Sequence, residues 1–324
     1  MDLYVLNWTA MQAVSAVEAR LTFPGEAVLI AEPRVRDLQA VDRVPWTRQH
    51  WLEIRIREAP LRRVLHWQRF RQSIAAIVDD IGPVERIFVG HLGAPMCHVV
   101  NVSGAREVIV LDAGLVTEKV AKARPSQLTP SLRTHAVRAA RRLLGLQTQP
   151  PPRVTFFTSY HLKVDAPDRL MTHRFDQLRS SGVAASASPQ TWFIGQNFVE
   201  GRLMSPERYE AFVAQAIAGL DNVTYVAHPR ESPERAEVLR RRFGFAVTRF
   251  DKPLEIEMLT RPWPQTIVGI SSSALHSAAL IAGSAIAVRA LRLQESDLLK
   301  FVGGLPAAYE QLARVGVDIF EAQR

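Results

Sequence analysis

Cys97 is the one cysteine in 324 residues. A lone thiol can form neither an intramolecular disulfide nor a cysteine-built zinc site, so a reducing compartment is expected. Long apolar runs are missing as well. The longest, SAALIAGSAIAV at 277–288, falls short of the roughly 20 residues that a membrane span needs, and it reads as a buried helix followed by a strand. The N-terminal MDLYVLNWTA carries no basic n-region and places Asp2 and Asn7 early, so no secretory leader is expected. Neither a G-x-x-x-x-G-K-[ST] loop nor a G-x-G-x-x-G after the first strand is present, which excludes a Walker site and argues against a dinucleotide enzyme. No internal repeat or low-complexity tract interrupts the chain.

What is there describes a folded protein of two middling domains: 47% hydrophobic and 22% charged residues. Forty basic against thirty-two acidic side chains leave a net charge of +8. That balance suits an anionic partner. The basic residues cluster in helical stretches (LRRVLHWQRFRQS, LRTHAVRAARRLL, RAEVLRRRFG), which read first as solvated helix faces. An acidic glycan or an anionic membrane surface comes next, and nucleic acid last, because no nucleic-acid motif accompanies the charge.

Short apolar runs alternate with amphipathic segments, the pattern of βα units in parallel sheets. LYVLN, AVLIAEP, RIFVG, EVIVLD and RVTFFTSY read as strands of a first domain. The region from Trp46 to Asp80 reads as two helices broken at Pro60. The small, polar RSSGVAASASPQ at 179–190 reads as a linker. Beyond it TWFIGQ, VTYVAH, TIVGI and AIAVRAL are strands, and Ser205-Pro206 and Ser232-Pro233 are helix starts. The expected fold class is α/β: two Rossmann-type doubly wound domains, 1–185 and 186–324, whose strand carboxyl ends confront each other across a ligand cleft.

Two segments carry the chemistry. In VTYVAHPRESPER a strand delivers His228, stops at Pro229 and continues with Arg230. An imidazole there is a strand-end structural residue or a proton or hydrogen-bond donor to a phosphate. Arg230 can hold a carboxylate or phosphate in a fork, or pair with Glu231 or Glu234. In TIVGISSSALHSAAL three serines, Ser271, Ser272 and Ser273, open a helix after a buried strand. One serine suffices as a cap; three with free N–H groups suit an anion. His276, farther along, reads as a packed helix residue.

YVAHPRE followed by GISSSALHSA resembles the HP and serine motifs of bacterial sialyltransferases, close to the polysialyltransferase and lipooligosaccharide sialyltransferase families, and FIGQNFVEGRLMSPERY is similar to the opening of their C-terminal domain. The resemblance covers about residues 192–285. It implies a GT-B fold and inverting, metal-independent transfer of sialic acid, or a related keto-sugar, from a CMP donor to a capsule-type or lipooligosaccharide glycan, with no cofactor. The N-terminal domain would lie on the acceptor side and the C-terminal domain would hold the donor. His228 would assist departure of the CMP phosphate, Ser272 and Ser273 would hold it with Ser271 beside them, and Glu255 would face the ribose hydroxyls or else be a helix-surface carboxylate. The family's acidic motif is incomplete in Asp112-Ala113-Gly114, so the base is Asp112, Glu200 or another residue such as His91. A cytoplasmic protein, peripheral at the inner membrane, is expected. An epimerase working on a nucleotide sugar and a catalytically silent binder remain as alternatives.

Overall fold

The computed structural model describes the whole chain except residues 8, 55–59, 115, 130, 144, 184–187, 301–304 and 322–324; it also leaves the side chains of 60–65, 116, 132, 133, 136, 140, 182 and 183 undescribed. The chain divides into two compact units, Met1–Leu178 and Arg179–Arg324. The domain junction expected at 185/186 falls within 184–187, outside the described residues. On either side the supposed linker is already structured: Arg179–Val183 forms a helical turn, and Ser188 opens a strand.

The first unit is built on seven strands: β1 (Asp2–Leu6), β2 (Ala27–Ala31), β3 (Arg48–Trp51), β4 (Arg86–Val89), β5 (Glu107–Leu111), β6 (Thr155–Thr158) and β7 (Arg169–Thr172). They lie in the order β3-β2-β1-β4-β5-β6-β7, every pairing parallel. DLYVL and AVLIA are buried at every position, because helices cover both faces of such a sheet. Tyr4 stacks on Phe88 across the β1/β4 pair with ring centroids 4.1 Å apart. At the strand entry Arg86 forks onto Asp2 at 2.9 and 2.8 Å.

Six strands make the second sheet: β8 (Ser188–Ile194), β9 (Val223–Val226), β10 (Ala246–Thr248), β11 (Pro264–Gly269), β12 (Ala287–Leu291) and β13 (Asp318–Phe320). Their order is β10-β9-β8-β11-β12-β13, again all parallel. Helices enter as the sequence leads one to expect. Ser205 and Ser232 accept the N–H groups of Arg208 and Arg235, each with proline at the next position. The two parallel, Rossmann-type α/β sheets expected from the βα alternation are the ones observed. No helix among the described residues is long and apolar enough to cross a membrane.

One expectation is corrected. Pro60 does not break a helix; it begins the 22-residue helix Pro60–Ile81, where its missing N–H costs nothing, and the chain before it supplies β3.

In the first unit, the turn leading into β7 is pinned by a buried ion pair. Arg124 forks onto Asp168 at 2.7 and 2.9 Å and also donates to the Pro151 carbonyl, while Asp168 accepts the Val154 N–H. Asp168→Ala strands that guanidinium, so denaturant unfolding should show a loss of about 3–5 kcal/mol. A loss below about 1 kcal/mol would remove the pair from any role in the fold.

Candidate functional site

Parallel strands bring their carboxyl ends to one edge of a sheet, and ligands favour the point where strand order reverses. In the second unit that point lies between β8 and β11. Along this edge β10, β9, β8 and β11 deliver in turn Arg249, His228, Gln196 and Ser271.

The HPRE segment is a closed turn. Glu231 N–H donates to the His228 carbonyl at 2.9 Å, and the Glu231 carboxylate accepts the His228 N–H at 3.1 Å. Arg249 clamps it from β10, donating to the carbonyls of Pro229 (3.0 Å) and Glu231 (2.6 Å). The Arg230 N–H donates to His228 Nδ1 at 3.1 Å. A backbone N–H can only donate, so Nδ1 is the acceptor and the ring proton of the neutral imidazole sits on Nε2. Burial, then the Arg230 charge, push the His228 pKa down; Glu200 pulls it back in part, and Arg249 adds a smaller downward push. His228 is thus a neutral, half-buried Nε2–H donor at pH 7. Arg230 is exposed and, among the described residues, pairs with neither Glu231 nor Glu234. Glu200 lies beside this turn, exposed, with Oε1 accepting the Ser232 N–H at 3.2 Å.

Behind the turn runs a buried polar chain that the sequence reading did not single out. Tyr225 donates to Glu231 Oε1 at 2.6 Å, the Tyr209 and Tyr225 hydroxyls are 2.9 Å apart, and Gln196 N–H donates to the Tyr209 oxygen at 2.9 Å. The Gln196 side-chain amide in turn donates to the Ser271 carbonyl. Gly195 makes the room: a Cβ there would stand 2.7 Å from the Tyr225 hydroxyl and 2.9 Å from the Val226 carbonyl. Burial pushes the Glu231 carboxyl up to about 7.

The three serines have separate settings. Ser271 lends its carbonyl to the Gln196 amide, and beside it the Tyr309 hydroxyl accepts the Leu293 N–H at 2.8 Å, lies 3.1 and 3.0 Å from the Ile270 and Leu291 carbonyls, and ties the ends of β11 and β12. Ser272 is the N-cap of the helix Ser273–Ala282, its oxygen accepting the Ala274 N–H at 3.1 Å, so its own proton is available outward. Ser273 is exposed. Since β9 and β11 both flank β8, His228 and the serine turn sit two strand spacings apart, about 10 Å. Glu255 lies in the first turn of the helix Leu254–Thr260, which packs against the serine helix, and burial raises its pKa. His276 is buried.

Asp112 belongs to the first unit, at the end of β5. It is fully buried and accepts hydrogen bonds from the Thr158 hydroxyl and from the N–H and hydroxyl of Ser159, both at 2.7 Å, with His173 Nε2 at 3.6 Å. The carboxylate braces the ends of β5 and β6 and is closed to a substrate in this arrangement. His91 follows β4 at that sheet's own reversal point; its Nδ1 accepts the Gly93 N–H and its Nε2 faces the Asn7 amide at 3.2 Å. Among the described residues no group of three His, Cys, Asp or Glu side chains is gathered that could hold a metal.

No family model matches the chain, and no curated protein matches it. Solved structures do. The glycosyltransferase VinC in complex with DTDP superposes with a TM-score of 0.56 at 12% identity, over 99% of this chain and 86% of that one. An alpha/beta-galactoside alpha-2,3-sialyltransferase from the luminous marine bacterium Photobacterium phosphoreum gives 0.50 at 9% identity, over 98% and 97%. The chain has a GT-B glycosyltransferase-like fold. At these identities the likeness is one of fold and assigns no donor, acceptor or catalytic residue.

A carboxyl with its pKa raised in the folded state favours the protonated form there, so its contribution to stability is full below the unfolded value and is lost as pH climbs through the folded one. Between about pH 4.5 and 7 the native chain should therefore lose on the order of 3 kcal/mol relative to Glu231→Gln, with parallel curves above that range. Unfolding measured across pH checks this, and parallel curves throughout would contradict the placement of Glu231.

Proposed function

We propose that this protein is a glycosyltransferase whose second unit binds a nucleotide-activated sugar by its phosphate, and that the donor is a CMP-activated sialic acid or related keto-sugar. The class is supported by the fold; the donor rests on the YVAHPRE and GISSSALHSA segments. One observation carries the reading: a neutral imidazole with its proton on Nε2 and a serine-started helix with an exposed tip follow strands β9 and β11, on either side of β8 at one sheet edge.

On this reading the leaving phosphate gains negative charge as the glycosidic bond to the sugar breaks, and donors already in place stabilise it. His228 Nε2–H is one. The Ser272 and Ser273 hydroxyls and the positive end of the helix are the others. On this reading Arg230, exposed at the tip of the turn, takes the sugar carboxylate, and Glu255 takes the ribose hydroxyls, the latter role resting on the resemblance alone. The acceptor hydroxyl must lose a proton. Of Asp112, Glu200 and His91, Glu200 alone is an exposed carboxylate with an oxygen beyond its structural contact, and we assign it the proton. The basic surface suits an anionic glycan acceptor.

Calorimetry with CMP and with UDP should show CMP binding that His228→Ala weakens about 10- to 100-fold, the worth of one hydrogen bond to a charged group. Glu200→Gln should cut kcat about 10²- to 10⁴-fold while leaving CMP affinity unchanged. Absence of nucleotide binding would overturn the proposal, and conversion of a UDP-sugar without an acceptor would replace it by an epimerase. Ala113 in place of a second acid, with Asp112 walled in, favours one other reading: a nucleotide-sugar binder without turnover. It is selected if CMP-donor binds and neither hydrolysis nor transfer follows.

A further inference from the structure

The hydrogen-bond chain beneath the second sheet's edge has a direction. Gln196 N–H can only donate, so the Tyr209 oxygen accepts and its proton turns toward Tyr225; the Tyr225 proton then goes to Glu231 Oε1, and Oε2 takes the His228 N–H. Every proton in the chain points to one buried carboxylate. The other end of Gln196 donates to Ser271. The loops after β9, β8 and β11, which carry His228, Gln196 and the serine turn, are therefore joined through hydrogen bonds that are buried at the tyrosines and part-buried at both ends.

Nothing about burial alone calls for a carboxylate here. Glu231 is 2% exposed, and Arg249, the nearest clamp, spends its guanidinium on the Pro229 and Glu231 carbonyls rather than on the carboxylate. A buried carboxylate without a cation on it is costly. What it supplies, and a glutamine cannot, is two acceptor oxygens for two convergent donors.

We propose that Glu231 is a positioning residue for the leaving-group histidine: with Tyr225, Tyr209 and Gln196 it holds the His228 turn at a set height against the serine turn, so that Nε2–H and the helix tip meet one anion together. What that anion is rests on the reading under Proposed function; the positioning does not. The groups facing Glu231 are Tyr225 and Tyr209 from β9 and the helix Pro206–Ile217, Glu200 from the loop after β8, Arg249 after β10, and His228 and Arg230 on its own turn. Burial holds the Glu231 carboxyl near 7, whereas His228 titrates below its ordinary value.

The test uses the full chain without ligand, then with CMP. In the native protein the His228 backbone amide resonance should titrate with a midpoint near 7, reporting its bond to Glu231, while the imidazole reports the Nε2–H tautomer. Glu231→Gln should abolish that amide titration and alter the imidazole titration. Tyr225→Phe, a gentler change that keeps the carboxylate and the ring, should shift both in part. With CMP, both variants should lose at least 10-fold in affinity, and the double variant should lose less than the product of the two, since they act on one chain. If folded Tyr225→Phe and Glu231→Gln leave the His228 resonances as in the native protein, the positioning role is overturned whatever binds. If the resonances move and the native chain binds no CMP, the positioning stands and the donor assignment falls.

Discussion

Parallel pairing throughout both sheets is the constraint from which the rest follows. A parallel ladder needs a crossover after each strand, so every strand ends on the same edge and every loop that follows one opens there. In the second unit this turns a linear order of residues into a row: Arg249, His228, Gln196 and Ser271 stand side by side although 75 residues separate Gln196 from Ser271. None of these side chains is near its partner in sequence. The sheet makes them neighbours, and the spacing between strands sets the distance between imidazole and helix tip.

Such an edge gathers polar groups in a place that is otherwise apolar, and each must be satisfied. Two solutions are visible. In the first unit Asp112 collects three donors from the ends of β6 and becomes a brace. In the second, Glu231 collects a tyrosine hydroxyl and a backbone N–H, and the chain behind it reaches across β8 to the serine turn. The difference in outcome is one of exposure. Asp112 holds Thr158, which is buried, and Ser159 at the strand end, and presents no group of its own to solvent; the turn that Glu231 holds ends in a half-buried imidazole whose Nδ1 is taken up by the Arg230 N–H, which leaves Nε2–H as the donor.

The central strands were legible because complete burial on both faces demands uninterrupted apolar runs, as in AVLIA and EVIVL. The four strands that escaped the reading, β3, β7, β10 and β13, are the four edges of the two sheets. Edge strands lack a neighbour on one side and are here three or four residues long, so RQHW, RLMT, AVT and DIF show no run to find. Pro60 carries a related ambiguity: proline ends one helix or begins another, and periodicity alone does not say which.

By itself the sequence determined that two βα units follow one another, that a histidine and a serine-started helix each close an apolar strand, and that the helices enter at Ser205 and Ser232; these are local matters of propensity, capping and hydrophobic period. Only the tertiary structure decided that His228 carries its proton on Nε2, that Asp112 is sealed in while Glu200 is open, and that Tyr209, Tyr225 and Glu231 form one chain. Those outcomes depend on which strand lies beside which. Strand order is fixed by burial summed over a whole sheet, a quantity that no stretch of residues contains.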